Sequence, residues 1–235
     1  ISRLRGREIA GRLKHLCHNS QKSPVISLGR SSLGNEIWVN KLFAETDFKI
    51  VVSGIEFHPA AGYRGGCETV LPGLAGADTI VRNHSWCLGP KARPGVLSDN
   101  PAHREMEEAA DMVGVDFALN AVPGPQGEVA AAFAGDIQQT LREAAKVVDG
   151  VYRVPIERRC EIVVAGAGGY PRDISLHESL GALRNGLEGL EDGGVIVLVA
   201  ECGEGDGNPA FRNLMEKYRS ADELEADLRE NFDLG

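Results

Sequence analysis

Two histidines stand in the least generic part of the chain, EFHPAAGYRGGCETVLPGLAGADTIVRNHS (residues 56–85). His58 follows the apolar run FKIVVSGI and precedes GYRGG; His84 closes the short run TIVRNH. Imidazole titrates nearest to neutrality, so a histidine facing a cleft can exchange protons, and a neutral ring can ligate nickel, zinc, copper or iron. The stretch also holds seven Gly or Pro residues, which let backbone approach a ligand closely. Each feature has a structural alternative. A lone histidine at a strand end is more often a packing residue, and a glycine pair more often a tight turn.

The patterns that would narrow the chemistry further are missing. The loop is neither GxxxxGK[ST] nor GxGxxG, so a generic phosphate loop is disfavoured. No HxxxH or HExxH occurs, and a zinc hydrolase needs about three protein ligands. A second glycine-rich turn, GAGGYPRD (166–173), leads into a run starting at Leu176 that reads as a helix. A helix N-terminus there offers free N–H donors to an organic acid. His177 and Glu178 sit on that first helical turn; a cleft-facing His177 competes with a purely structural one, and the structural reading is slightly favoured. His15, His18 and His103 read as solvated positions on polar helical faces.

The elements around these residues are of two kinds. Residues 1–16 have apolar positions near helical spacing. VISLG and EIWVNK read as a hairpin around a Ser-Ser-Leu-Gly turn, FKIVVSGI as a buried strand, and TIVRN as another short strand. NPAHREMEEAADM has an Asn-Pro helix entry. VDFALNAVP and EVAAAFAGD form a second hairpin around GPQG, and DIQQTLREAAKVVDGVY is an amphipathic helix entered at Asp136. From residue 160 the pattern becomes strand–helix–strand–helix. CEIVVAGAG and DGGVIVLVAEC are near-continuously apolar, the mark of a buried parallel sheet. Asp173 or Ser175 would cap the helix between them. The expected fold is α/β in two parts, residues 1–153 and 154–235, divided near VPIERR.

Composition excludes several classes. The 235 residues are 43 % hydrophobic, enough for a real core. A formal net charge of −9 with no basic run argues against nucleic acid and against an anionic membrane surface. No apolar run approaches the roughly 18 residues of a membrane span, and no signal-peptide pattern occurs. Cys17, Cys67, Cys87, Cys160 and Cys202 are scattered and odd in number, which reads as reduced thiols in a cytoplasmic protein. Both ends read as cut through helices, so a fragment of a longer protein is expected.

Taken in order, these pieces resemble one family. GRSSLGNEIWVNK, ETDFKIVVSGIEFHPAAGYRGG and VLPGLAGADTIVRNH, followed by GAGGYPRDISLHESLGALRN and GGVIVLVAECGEGDGNPAF, are similar to the nickel-pincer lactate racemases and related 2-hydroxy-acid racemases and epimerases. The likeness runs over roughly residues 25–215. It implies two α/β domains, both truncated here, with the active site in the cleft between them. It implies a nickel-pincer nucleotide as cofactor, loaded by pincer-cofactor assembly proteins, and a small hydroxy acid as substrate. By position, His84 completes nickel coordination and His58 is one of two histidines that trade protons with the substrate hydroxyl. The second, with the phosphate-binding residues, would lie upstream of Ile1. Gly65 and Gly66 would cradle the cofactor.

The departures are as informative. The family's tethering lysine falls on Glu68, which cannot form that bond, so the cofactor would be held without a covalent tether. The Tyr, Gln and Lys of the lactate enzymes' next helix fall on His177, Glu178 and Gly181, which implies a substrate other than lactate. Arg64, Arg172 or Arg184 would then meet the substrate carboxylate. A homologue that binds ligand or cofactor without catalysis is the alternative.

Overall fold

The computed structural model describes residues 14–230 and residue 232. The helix expected over residues 1–16 lies outside them except for residues 14–16, which are not helical. The first hairpin is present: β1 (Val25–Arg30) pairs antiparallel with β2 (Glu36–Asn40). Period-2 alternation makes it one-sided, with Ile37 and Val39 fully buried and Trp38 facing outward. Asn40 caps the short helix α1 (Lys41–Ala44), and β3 (Ile50–Gly54) follows. A two-residue ladder, β4 (Phe57–His58) against β5 (Gly62–Tyr63), sets His58 opposite Gly62. The glycine-rich loop then closes in a 3-10 turn, Gly66–Thr69.

TIVRN is not a strand. It lies within α2 (Ala77–His84), which places His84 at a helix C-terminus. The β-branched Thr79, Ile80 and Val81 give a strand-like local signal, but the buried pair Thr79 and Asn83 has helical i, i+4 spacing. Helix α3 (Pro101–Val113) begins as its Asn-Pro entry dictates. Asn100 Oδ1 accepts from the Ala102 N–H, and Gly114 ends the helix in the left-handed region. The second hairpin is β6 (Phe117–Pro123) with β7 (Val129–Gly135), and β3 joins β6 in parallel. Helix α4 (Ile137–Tyr152), capped by Asp136, covers one face of that sheet.

The last part follows the parallel pattern. β8 (Cys160–Gly166) and β9 (Leu190–Val199) pair in parallel across α5 (Leu176–Leu187), whose cap is Ser175. Helices α6 (Pro209–Lys217) and α7 (Ala221–Glu230) complete the described chain. The expectation of fully buried strands is corrected. On β3 and β6, the register partners Val52 and Leu119 are 67 % and 40 % exposed; on β8 and β9, Val164 and Val197 are 68 % and 45 % exposed. Each of these sheets keeps an open apolar face. All five cysteines are free thiols. Among the described residues no helix is long and apolar enough to cross a membrane.

Two buried clusters hold the first part together. Ile37, Val51, Cys67, Leu71, Met106 and Ala118 belong to one; Ile55, Tyr63, Val122, Leu141 and Val148 belong to the other. A buried carboxylate links the surrounding segments. Glu105 of α3 has no exposed surface and accepts from Ser31 Oγ at 2.8 Å, Asn35 Nδ2 at 3.1 Å and Asn83 Nδ2 at 3.0 Å. Glu105→Leu removes an acceptor from three buried donor groups at once. It should lower stability by about 3–5 kcal/mol in urea unfolding, whereas Glu143→Leu on the exposed face of α4 should stay within about 0.5 kcal/mol.

Candidate active site

The glycine loop is shaped by close contact with the end of β3. Gly65 has φ +84°, and a Cβ there would stand 2.4 Å from the Gly54 carbonyl oxygen and 2.7 Å from Ile55 Cδ1. A hydrogen-bonded chain then locks the loop to the sheet. The Gly66 N–H donates to Ser53 Oγ (2.8 Å), and Ser53 donates to Asn120 Oδ1 (2.6 Å). Asn120 Nδ2 donates to Thr140 Oγ1 (2.9 Å), and Thr140 donates to the Asp136 carbonyl (2.7 Å). The buried Cys67 anchors the turn in the core, and burial pushes its thiol far up, so it is no nucleophile. The fixed loop presents Arg64 and Glu68 toward His58.

His58 is held in one tautomer. Its Nδ1 accepts from the Ala60 N–H at 3.1 Å and the Ala61 N–H at 2.8 Å. Two donors on one nitrogen leave that nitrogen unprotonated, so the neutral ring carries its proton on Nε2. Burial above all, then the Arg64 guanidinium and, further down, the basic side chains of His84, Arg184 and His103, pull its pKa down to about 4. Nε2 faces Glu68 Oε1 at 3.8 Å, beyond a direct hydrogen bond. The other Glu68 oxygen accepts from the Gly65 N–H at 2.6 Å, and Arg64 Nε lies 4.0 Å from Oε1. Burial pushes the Glu68 carboxyl above its ordinary value, against the pull of the Gly65 amide, Arg64 and His103.

His84, half-buried at the end of α2, is held below its ordinary pKa by burial and so presents a neutral imidazole. Among the described residues no three His, Cys, Asp or Glu side chains converge as a metal site.

His103 is not solvated. It is 1 % exposed, and neither ring nitrogen has a hydrogen-bond partner; its approach to Glu107, 3.5 Å, falls short of one. The spacing 103, 106, 110, 113 on α3 puts it on the apolar stripe, a signal present in the sequence. His18, unlike His103, is not on a helix; its ring contacts the Ala75 carbonyl and Asn40.

The structure thus gathers His58, Arg64, Gly65, Gly66 and Glu68, with His84 and Arg184 near enough to act on His58 electrostatically. His177 and Glu178 stand apart on the first turn of α5. Glu178 lines a cleft of about 580 Å³ along β8, with Arg172, Gly181 and Asn185. Gly181 has open space where a side chain would stand. The His177 ring is turned to Phe211 of α6, with centroids 5.3 Å apart.

The likeness to known proteins fits this arrangement. A family model for the lactate racemase N-terminal domain matches residues 1–95, and one for the lactate racemase C-terminal domain matches residues 156–232. The chain belongs to the lactate racemase family. It is 33 % identical over 209 residues to the lactate racemase of Thermoanaerobacterium thermosaccharolyticum and 31 % identical over 209 residues to that of Lactiplantibacillus plantarum. Each match takes in 88 % of this chain and 49 % of the relative, so the chain spans about half the length of these curated relatives. The solved apoprotein of the T. thermosaccharolyticum enzyme superposes with a TM-score of 0.88 at 31 % identity, over 93 % of this chain and 53 % of that one. A Thermotoga maritima protein shares the fold, with a TM-score of 0.67 at 20 % identity over 94 % of this chain and 59 % of that one.

Two measurements test the site's physics. The unfolded chain protonates His58 near its ordinary 6.5, the folded chain only near 4. The stabilising contribution of neutral His58 is therefore complete above pH 6.5 and is lost as pH falls toward 4. The stability difference between the parent and His58→Gln should shrink over that window, measured by urea unfolding at stepped pH. Gly65→Ala forces a Cβ into backbone at a positive φ. It should cost about 2 kcal/mol or more in the same assay, whereas Gly150→Ala, with open space around it, should cost nothing or stabilise.

Proposed function

We propose that this chain is the central part of an isomerase that inverts C2 of a 2-hydroxy acid other than lactate. The observation that carries this is the pair of half-buried, neutral imidazoles, His58 and His84, set around a locked glycine loop in the lactate racemase frame. His84 supplies the one protein donor that a metal bound by a nickel-pincer nucleotide requires. When bound, that cofactor would supply a reversible hydride acceptor, leaving the positioning of C2 and its hydroxyl to this chain's residues. His58 meets the substrate hydroxyl through Nε2. Gly65 and Gly66 bring the backbone close to the flat ligand, and the locked loop restricts water around it.

The substrate inference rests on Glu178 and Gly181, which line the α5 cleft, and on His177 beside them. Without a lysine at 181 that cleft is wider, and Arg172 is the cation on its wall. A longer, hydroxylated acid suits the extra space. Glu68 does not fit a covalent tether. A carboxylate already committed to the Gly65 amide offers no amine or thioamide linkage, so the cofactor would be held by His84 and by non-covalent contacts. The working unit on this reading has two α/β domains divided near residues 153–159, resides in the cytoplasm and depends on pincer-cofactor assembly proteins.

The test uses the complete protein co-expressed with those assembly proteins. Bound nickel and a nucleotide-sized ligand are expected in the parent and should fall at least about tenfold in His84→Ala, by metal analysis and mass spectrometry. The loaded protein should exchange the C2 hydrogen of at least one member of a panel of 2-hydroxy acids. Nickel without exchange would favour the non-catalytic binding homologue that Glu68 also suggests. Absence of nickel in both proteins would overturn the cofactor assignment.

A further inference from the structure

We propose that His58 and Glu68 form a donor–acceptor fork for a single hydroxyl group, with Glu68 Oε1 as the acceptor of its proton. The inference rests on the reading of a hydroxy-acid site but concerns groups of this chain alone. The Ala60 and Ala61 amides occupy the His58 Nδ1 lone pair, so Nε2 carries the proton and can only donate. The Gly65 amide occupies Glu68 Oε2, so Oε1 is the oxygen left to accept. The two free ends face each other across 3.8 Å. That gap is too long for a direct hydrogen bond. It is the span closed by one oxygen making two ordinary contacts of about 2.8 Å, meeting near a right angle.

A hydroxyl fills such a gap with matched polarity. Its oxygen accepts from Nε2–H while its own O–H donates to Oε1. In the proton step the O–H bond breaks, the proton bonds to Glu68 Oε1, and the substrate oxygen keeps the electron pair, held by Nε2–H. The carboxylate becomes a neutral carboxylic acid, a form that its burial favours. A methylene group in the same place would leave both a donor and an acceptor unpaired, so the fork distinguishes 2-hydroxy acids from 2-deoxy acids. Arg64, 4.0 Å from Oε1, tempers the repulsion between Glu68 and an anionic substrate.

Nitrogen-15 NMR of histidine-labelled complete protein tests this without cofactor or turnover. At pH 7, His58 should show a protonated Nε2 and an unprotonated Nδ1. The probes are 2-hydroxy acids of three to six carbons, each paired with its 2-deoxy analogue. At least one hydroxy acid should shift the Nε2–H resonance and its 2-deoxy analogue should not. In Glu68→Gln the Gly65 amide holds the amide oxygen and turns the NH₂ toward His58, so the fork becomes donor against donor. Affinity for the responding hydroxy acid should then fall about tenfold while the tautomer stays unchanged. A protonated Nδ1, an equal response to the 2-deoxy analogue, or unchanged affinity in Glu68→Gln would overturn the fork. A correct tautomer with no response to any of the hydroxy acids would mean a water site and would overturn the ligand assignment. Failure of C2 exchange in the loaded enzyme with these NMR results intact would instead count against the racemase reading.

Discussion

The Glu105 carboxylate is the constraint on which the first part of the molecule turns. A buried carboxyl group is tolerated only where hydrogen bonds replace its water, and here Ser31 and Asn35 supply them from the turn of the first hairpin and Asn83 from α2. One donor is the residue directly before His84. The same carboxylate that ties the first hairpin to α3 thus fixes the end of α2, and with it the direction from which His84 can approach a ligand. Asn35 adds a second tie, donating to the Thr79 carbonyl of α2.

The glycine loop is fixed by a different device. Ser53, Asn120 and Thr140 relay hydrogen bonds from the loop through β3 and β6 to the start of α4, and at Gly65 there is room for nothing larger than hydrogen. A loop held this way does not need a ligand to order it. It can place a carboxylate and an imidazole at a set separation before anything binds, and hydrogen-bond recognition gains most from such preorganisation.

Much of this architecture was legible in the sequence where the signals are local. Asn100-Pro101 starts a helix, GPQG turns a hairpin, and two apolar runs flanking a capped helix make a parallel pair. Local signals also misled. Thr79, Ile80 and Val81 favour a strand by propensity, but hydrogen bonds from Thr79 Oγ1 to Glu36 and from Asn83 to α3, between residues distant in sequence, favour the helix. His103 read as solvated because it is polar, although its spacing belongs to the buried stripe. The open apolar faces of β3–β6 and β8–β9 were not legible either, since a continuous apolar run records composition and not what covers it. The candidate site was half legible. His58, Gly65, Gly66, Glu68 and His84 could be named from the pattern, but the tautomer of His58 depends on amides two and three residues on, and no side-chain pattern encodes that.

Glu68 changes what the site asks of a ligand. A carboxylate facing His58 cannot attract the carboxylate of a hydroxy acid, and Arg64 is too exposed to cancel it fully. On the proposed reading, the acid group must therefore point away from the loop and the hydroxyl toward it. The cations available on the other side are Arg184, which acts on His58 from α5, and Arg172, which lines the neighbouring cleft with Gly181. On that same reading Glu68 and Gly181 are one coupled change: Glu68 would turn the hydroxyl toward a carboxylate acceptor, and Gly181 would leave the acid group to an arginine with space for a longer carbon chain between them.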